Sequence, residues 1–134
     1  MKKMCLPKSA CVIVLMLYSV SFYSCKKSSQ SSSDLFAPTL MTSQAIATSP
    51  TTVGVTAYVT KLSSPITAQG IRWGLQSAPN NFTDVPCSPI VPLEPFSCTI
   101  TGLTPGTNYY FQSYATNAQG TGWGNTIYVQ TPTQ

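Results

Sequence analysis

The stretch 103-LTPGTNYYFQSYATNAQG-120 decides the fold of this 134-residue chain. Thr104-Pro105-Gly106 is a turn signal, because proline presets φ and glycine accepts the positive φ that other residues resist. From Tyr109 the chain alternates strictly. Tyr109, Phe111, Ser113 and Ala115 share one face, and Tyr110, Gln112, Tyr114 and Thr116 share the other. A period of two marks a half-buried strand. Asn117-Ala118-Gln119-Gly120 then reverses the chain into a further strand that runs to Val129.

Working outward, the same signature recurs. Val53, Val55, Ala57 and Val59 alternate with Thr52, Gly54, Thr56 and Tyr58 in a strand over Thr51 to Leu62. Ile71, Trp73 and Leu75 oppose Arg72, Gly74 and Gln76 in another. A less regular strand is expected over Pro38 to Ala47, and a short one over Phe96 to Ile100. Between Ser77 and Pro95, Pro79, Pro86, Pro89, Pro92 and Pro95 forbid a long central strand, so this segment reads as a loop-rich connection. In the closing strand Ile127 and Val129 point inward and Tyr128 outward, while the glycines around Trp123 suggest a bulge that leaves the face of Trp123 open.

Composition narrows the class of function. Only 7% of residues are charged, against roughly 25% in an average soluble protein. Lys2, Lys3 and Lys8 belong to a basic amino-terminal segment. The rest of the chain sets Lys26, Lys27, Lys61 and Arg72 against Asp34, Asp84 and Glu94, which gives no electrostatic footprint for nucleic acid. Histidine is absent, which removes the commonest general base and metal ligand. The folded region offers two carboxylates, Asp84 and Glu94, both in the proline-rich connection, with no cation placed in sequence to tune them. No enzyme, metal or cofactor is expected.

The amino-terminal segment is a targeting signal. Ala10 to Ser24 is apolar but short. A transmembrane helix needs about 20 apolar residues, so the hydrophobic region of a signal peptide is the better reading. Ser24-Cys25-Lys26-Lys27 and the serine-rich run after it resemble a bacterial lipoprotein signal of the Bacteroidota type, although Phe22 and Tyr23 depart from the usual pattern. The resemblance implies cleavage before Cys25, lipidation of Cys25, and anchoring at the outer membrane, on its periplasmic face or at the cell surface. An uncleaved anchor and an ordinary secretory signal are the other readings of the same residues. Lys26 to Asp34 is polar and low in complexity, as a flexible tether would be.

Leu103, Pro105, Gly106, Thr107, Tyr109, Phe111, Ala115, Asn117 and Gly120 resemble the corner and following strand of fibronectin type III domains. Tyr109 would be the corner tyrosine, its hydroxyl bonding to upstream backbone. The expected organisation is a signal peptide over 1–24, lipidated Cys25 and tether over 25–36, and an all-β domain over 37–134. That domain is a single fibronectin type III-like, immunoglobulin-like sandwich of about seven strands, monomeric, with Trp73 in its core. Cys87 and Cys98 are the cysteines left over, an even pair in an oxidising compartment, and a disulfide between them is expected, with two buried thiols as the alternative. The outward set Tyr110, Tyr114, Tyr128 and Trp123, with Arg72, Gln112 and Gln130 around it, is the candidate ligand face. Flat aromatics beside amides and an arginine suit a glycan or an envelope-protein partner, or else they are cross-strand pairs that stabilise an exposed sheet. A purely structural spacer is the competing role.

Overall fold

The computed structural model describes residues 35–134. The signal segment, Cys25 and the serine-rich tether lie outside the described residues. Seven strands follow in order: β1 (Thr39–Ser49), β2 (Thr52–Lys61), β3 (Ala68–Leu75), β4 (Phe82–Pro86), β5 (Pro95–Thr101), β6 (Asn108–Asn117) and β7 (Gly120–Gln130). They form two antiparallel sheets, β1-β2-β5 and β4-β3-β6-β7. The sandwich follows from the alternation. Val53, Val55, Ala57 and Val59 of β2 meet Ile71 of β3 and Phe111 and Ala115 of β6 in one buried cluster. Burial of this kind contributes about 25 cal/mol per Å² of apolar surface removed from water.

The connection over Ser77 to Pro95 departs from expectation, because it contains β4. Five residues long, with Pro79 before it and Pro86 at its end, β4 lies at the edge of its sheet. Proline is tolerated at an edge, where one side of the backbone needs no ladder partner. Trp73 meets expectation in part. It is half-buried and packs against the core, with its ring edge-on to Tyr109 at a centroid distance of 5.6 Å.

The corner forms as the sequence implies. Gly106 has φ 65°, and Tyr109 is buried with its hydroxyl accepting a hydrogen bond from the Thr104 N–H at 2.9 Å. Thr131 closes the same corner from the end of β7, donating to the Thr104 carbonyl at 2.6 Å and accepting from the Thr107 N–H at 3.0 Å.

Two devices hold the sheets together besides the core. Cys87, just past β4, is bridged to Cys98 on β5, so the disulfide crosses from one sheet to the other with Cα atoms 5.8 Å apart. At the other side β7 bulges. Gln112 pairs with Thr126 but Tyr114 pairs with Trp123, so Gly124 and Asn125 occupy the space of one residue. Asn125 turns toward β1, where its amide accepts from the Thr42 N–H at 2.9 Å and donates to the Thr42 carbonyl at 3.1 Å. Thr42 in turn accepts from the Ser113 N–H at 3.0 Å. The bulge thus places an amide where a neighbouring strand would be.

The chain enters and leaves at opposite poles. Phe36, ahead of β1, accepts from Ser63 and from the Asn117 side chain, at the end of the sandwich where β6 finishes. Thr131 and the residues after it lie at the other end, beside the Tyr109 corner.

Replacing Tyr109 with Phe removes the corner hydrogen bond and leaves the packing. The expected loss is about 1 kcal/mol, or a midpoint lowered by about 4–8 °C for a domain of this size. Thermal unfolding followed by far-ultraviolet circular dichroism measures it. An unchanged midpoint would mean that the hydroxyl contributes nothing to the corner.

Candidate functional site

The outer face of β4-β3-β6-β7 is built in three rows that follow from the register. Phe82, Gly74, Tyr110 and Tyr128 form the first, Asp84, Arg72, Gln112 and Thr126 the second, and Pro86, Gly70, Tyr114 and Trp123 the third. Strand β3 contributes glycine, arginine, glycine. The two glycines decide what the tyrosines do.

Tyr110 lies over Gly74. A Cβ on Gly74 would stand 2.9 Å from the Tyr110 ring, and the Tyr110 hydroxyl donates to the Pro79 carbonyl at 3.0 Å. Tyr110 is only 8% exposed, so the expectation that it faces solvent is corrected. Tyr114 lies likewise over Gly70, where a Cβ would meet its ring at 2.7 Å, and it is half-buried. Glycine in a strand leaves a gap over the backbone, and a cross-strand aromatic fills it. Threonine would satisfy strand propensity at both positions but would leave those gaps open. Tyr114 also packs on Trp123 with centroids 5.8 Å apart, and burial pushes its phenol pKa up.

Arg72 stands between the glycines. Its Nε donates to Asp84 Oδ1 at 2.7 Å and its Nη2 to Oδ2 at 2.8 Å, a two-pronged pair. Its guanidinium carbon lies 3.6 Å from the Phe82 ring centroid and 4.2 Å from that of Trp123, within the range of cation–π attraction. Asp84 is therefore presented by β4 and paired with a cation, which corrects the expectation of a carboxylate in a loop-rich connection with no cation to tune it. The hydrogen bonds from Arg72 hold the Asp84 carboxyl below the usual carboxylate range, and they raise the guanidinium pKa in return. With its pKa depressed on folding, Asp84 adds stability above the ordinary Asp range and loses it as pH falls through the lowered value. Its side chain is 39% exposed, so solvent screens the pair and the contribution is small.

These rows leave an open groove of about 480 Å³. Its floor is Tyr110, Gln112, Arg72 and Thr126, and its wall is Pro79 and Asn80 of the β3–β4 loop. Phe82 and Tyr128 rise at its two sides, 46% and 62% exposed. Three strand spacings separate them, about 14 Å at ~4.8 Å each. Gln112 donates its amide to the Gly124 carbonyl at 2.9 Å, which fixes its orientation.

Of the sequence-predicted face, Tyr110, Tyr128 and Arg72 line this groove. Trp123 faces outward at 40% exposure and reaches Arg72 from the third row, so its face is now known. Tyr114 is not among the lining residues, and Gln130 instead lies near the Gly106 carbonyl. The lining residues missed are Phe82, Gln76, Thr126 and the Pro79-Asn80 wall. Phe82 shares a face with Asp84 and Pro86, but in a five-residue strand flanked by prolines that spacing gives no clear signal.

Among the described residues no three or more His, Cys, Asp and Glu come together in a group able to hold a metal ion, and no helix is long and apolar enough to cross a membrane. No family model and no curated protein matches the chain. Solved structures do. The sensor domain of the anti-sigma factor RsgI4 from Pseudobacteroides cellulosolvens aligns with a TM-score of 0.59 at 17% identity, over 74% of this chain and 98% of that one. The sixth fibronectin type III domain of human fibronectin type III domain containing protein 3 aligns with a TM-score of 0.53 at 21% identity, over 75% and 85%. Domains FN1–FN3 of chicken CNTN1 align with a TM-score of 0.55 at 22% identity, over 73% of this chain and 32% of that one. The fold is that of a fibronectin type III domain.

Within that fold, Tyr110 and Tyr128 separate by role. Tyr110→Thr opens the gap over Gly74 and leaves the Pro79 carbonyl without its donor, so a loss of about 2 kcal/mol is expected. Tyr128→Thr, at a freely exposed position, is expected within about 0.5 kcal/mol of the parent. Chemical denaturation of the two variants checks this, and equal midpoints would contradict the assignment.

Proposed function

We propose that this protein is a lipid-anchored, non-enzymatic binding module that holds a glycan in the groove between Phe82 and Tyr128. The observation that carries the reading is the pair of exposed rings on either side of a polar floor. Aromatic faces stack on the apolar face of a sugar ring, and fixed amides and hydroxyls meet its hydroxyl groups. Neither Phe82 nor Tyr128 covers the core, although Phe82 also packs against the Arg72 guanidinium. Among the structures of similar fold is the sensor domain of an anti-sigma factor.

Anchoring through Cys25 at the outer membrane fits the arrangement of the poles. Phe36 marks the end nearer the tether, and Tyr110 lies about 24 Å further along β6 from Asn117, at ~3.4 Å per residue. The groove occupies the half of the domain remote from Phe36, so a tether joining there would leave it open to a ligand. A spacer is the second reading. It is favoured by the opposite placement of the two ends of the domain and by the structural use of Tyr110 and Tyr114.

Two measurements decide. Phe82→Ala combined with Tyr128→Ala is expected to abolish retention on a glycan array while the free energy of unfolding changes by less than about 1 kcal/mol. Absence of glycan retention by the parent protein would favour the spacer. Separately, Cys25→Ala is expected to move the protein from the membrane to the soluble fraction, and a variant still membrane-bound and uncleaved would mean an anchor helix in place of a lipid.

A further inference from the structure

We infer that the groove selects uncharged oligosaccharide over acidic oligosaccharide, because Asp84 neutralises the one charged group on its floor. This rests on the glycan reading above. Arg72 is the only ionised side chain among the residues lining the groove; the others are Gln76, Asn80, Gln112 and Thr126 with Pro79 and the aromatics. An arginine standing alone there would be a carboxylate receptor, since its planar fork matches two carboxylate oxygens. In this protein the fork is already taken. Both prongs go to Asp84, at 2.7 and 2.8 Å, and the Phe82 and Trp123 rings pack against the guanidinium. A uronic acid placed over the floor would meet the Asp84 carboxylate as well as Arg72, and it would have to displace one to reach the other.

What remains of Arg72 is a neutral sugar's partner. Nη1 takes no protein acceptor among the described residues, so its N–H groups are left to donate to hydroxyl oxygens. Gln112 spends its amide N–H on Gly124 and keeps its carbonyl oxygen to accept. Tyr110 spends its proton on Pro79 and keeps its phenolic lone pairs. Donors and acceptors are thus both available, as hydroxyl groups require, and the net charge of the floor with Asp84 is zero. The span of about 14 Å between the rings suits a short linear segment stacked at both ends.

The experiment uses the purified full-length chain in detergent micelles, titrated with neutral gluco-, xylo- and manno-tetrasaccharides and with tetragalacturonate. Binding is followed by tryptophan fluorescence and calorimetry. The parent is expected to bind at least one neutral tetrasaccharide about tenfold more tightly than tetragalacturonate, with little change as salt is raised, since no net charge is recognised. Asp84→Asn frees the fork and is expected to gain about tenfold for tetragalacturonate, a gain that salt erodes. Should that variant fold poorly, the salt dependence of the parent still decides. A parent that prefers tetragalacturonate, with affinity falling as salt rises, overturns the inference and leaves the glycan reading standing. A parent that binds none of the four sugars overturns both.

Discussion

The glycine, arginine, glycine succession on the outer face of β3 is the constraint on which the rest of that sheet depends. A central strand flanked by two others ordinarily offers its neighbours a row of side chains. Gly70 and Gly74 offer backbone, and the only way to cover it is with large rings from the next strand. Tyr114 and Tyr110 lie down on those gaps, and in doing so they become floor instead of projections. The single side chain between them, Arg72, is then hemmed in by Phe82 and Trp123 and held in plane by Asp84. The covered floor, with Phe82 and Tyr128 exposed at its sides, follows from two missing side chains on β3.

The opposite problem is solved on the inner face. The β7 bulge puts Trp123 and Thr126 on the same side of the sheet although they are three residues apart, and it does so at the cost of regular pairing near Ser113. Thr42 of β1 repairs that loss, its buried hydroxyl accepting from the Ser113 N–H, while the Asn125 amide bonds the Thr42 backbone in return. The bulge that brings Trp123 to Arg72 is thus accompanied by a compensating hydrogen bond from β1 to the Ser113 N–H. The disulfide, whose two cysteines are part of the buried cluster, adds a covalent tie between the sheets.

Much of this was legible in the sequence. The strict alternation of β2 and β6 is a strong signal because one face of each is buried and the other is not, and the corner is a set of adjacent residues with a mechanism in each. Strand β4 was not legible. Val85 is the one β4 residue that packs against the core, so the period of two carries no hydrophobic contrast there, and the surrounding prolines argue against a strand. The burial of Tyr110 was hidden for a different reason. Alternation tells which face a residue occupies, but whether that face is open depends on the neighbour across the ladder, and one strand alone does not disclose that Gly74 and the Pro79 loop lie there. The Arg72–Asp84 pair depended on the same cross-strand register.

The division between floor and rim has an energetic meaning for recognition. Ordering a long side chain on binding costs about 0.5–1.5 kcal/mol each, and arginine carries the most rotamer freedom of the groove's residues. Arg72, Gln112 and Tyr110 have already lost that freedom on folding, to Asp84, Gly124 and Pro79 respectively. A ligand meeting them finds donors and acceptors in fixed positions and orders little in the protein. Phe82 and Tyr128 are the lining residues with large exposed apolar area, and aromatic side chains have few torsions to freeze. The favourable contact area of the groove is thus concentrated at its two sides, and its directional preferences are concentrated in the floor that covers the glycines of β3.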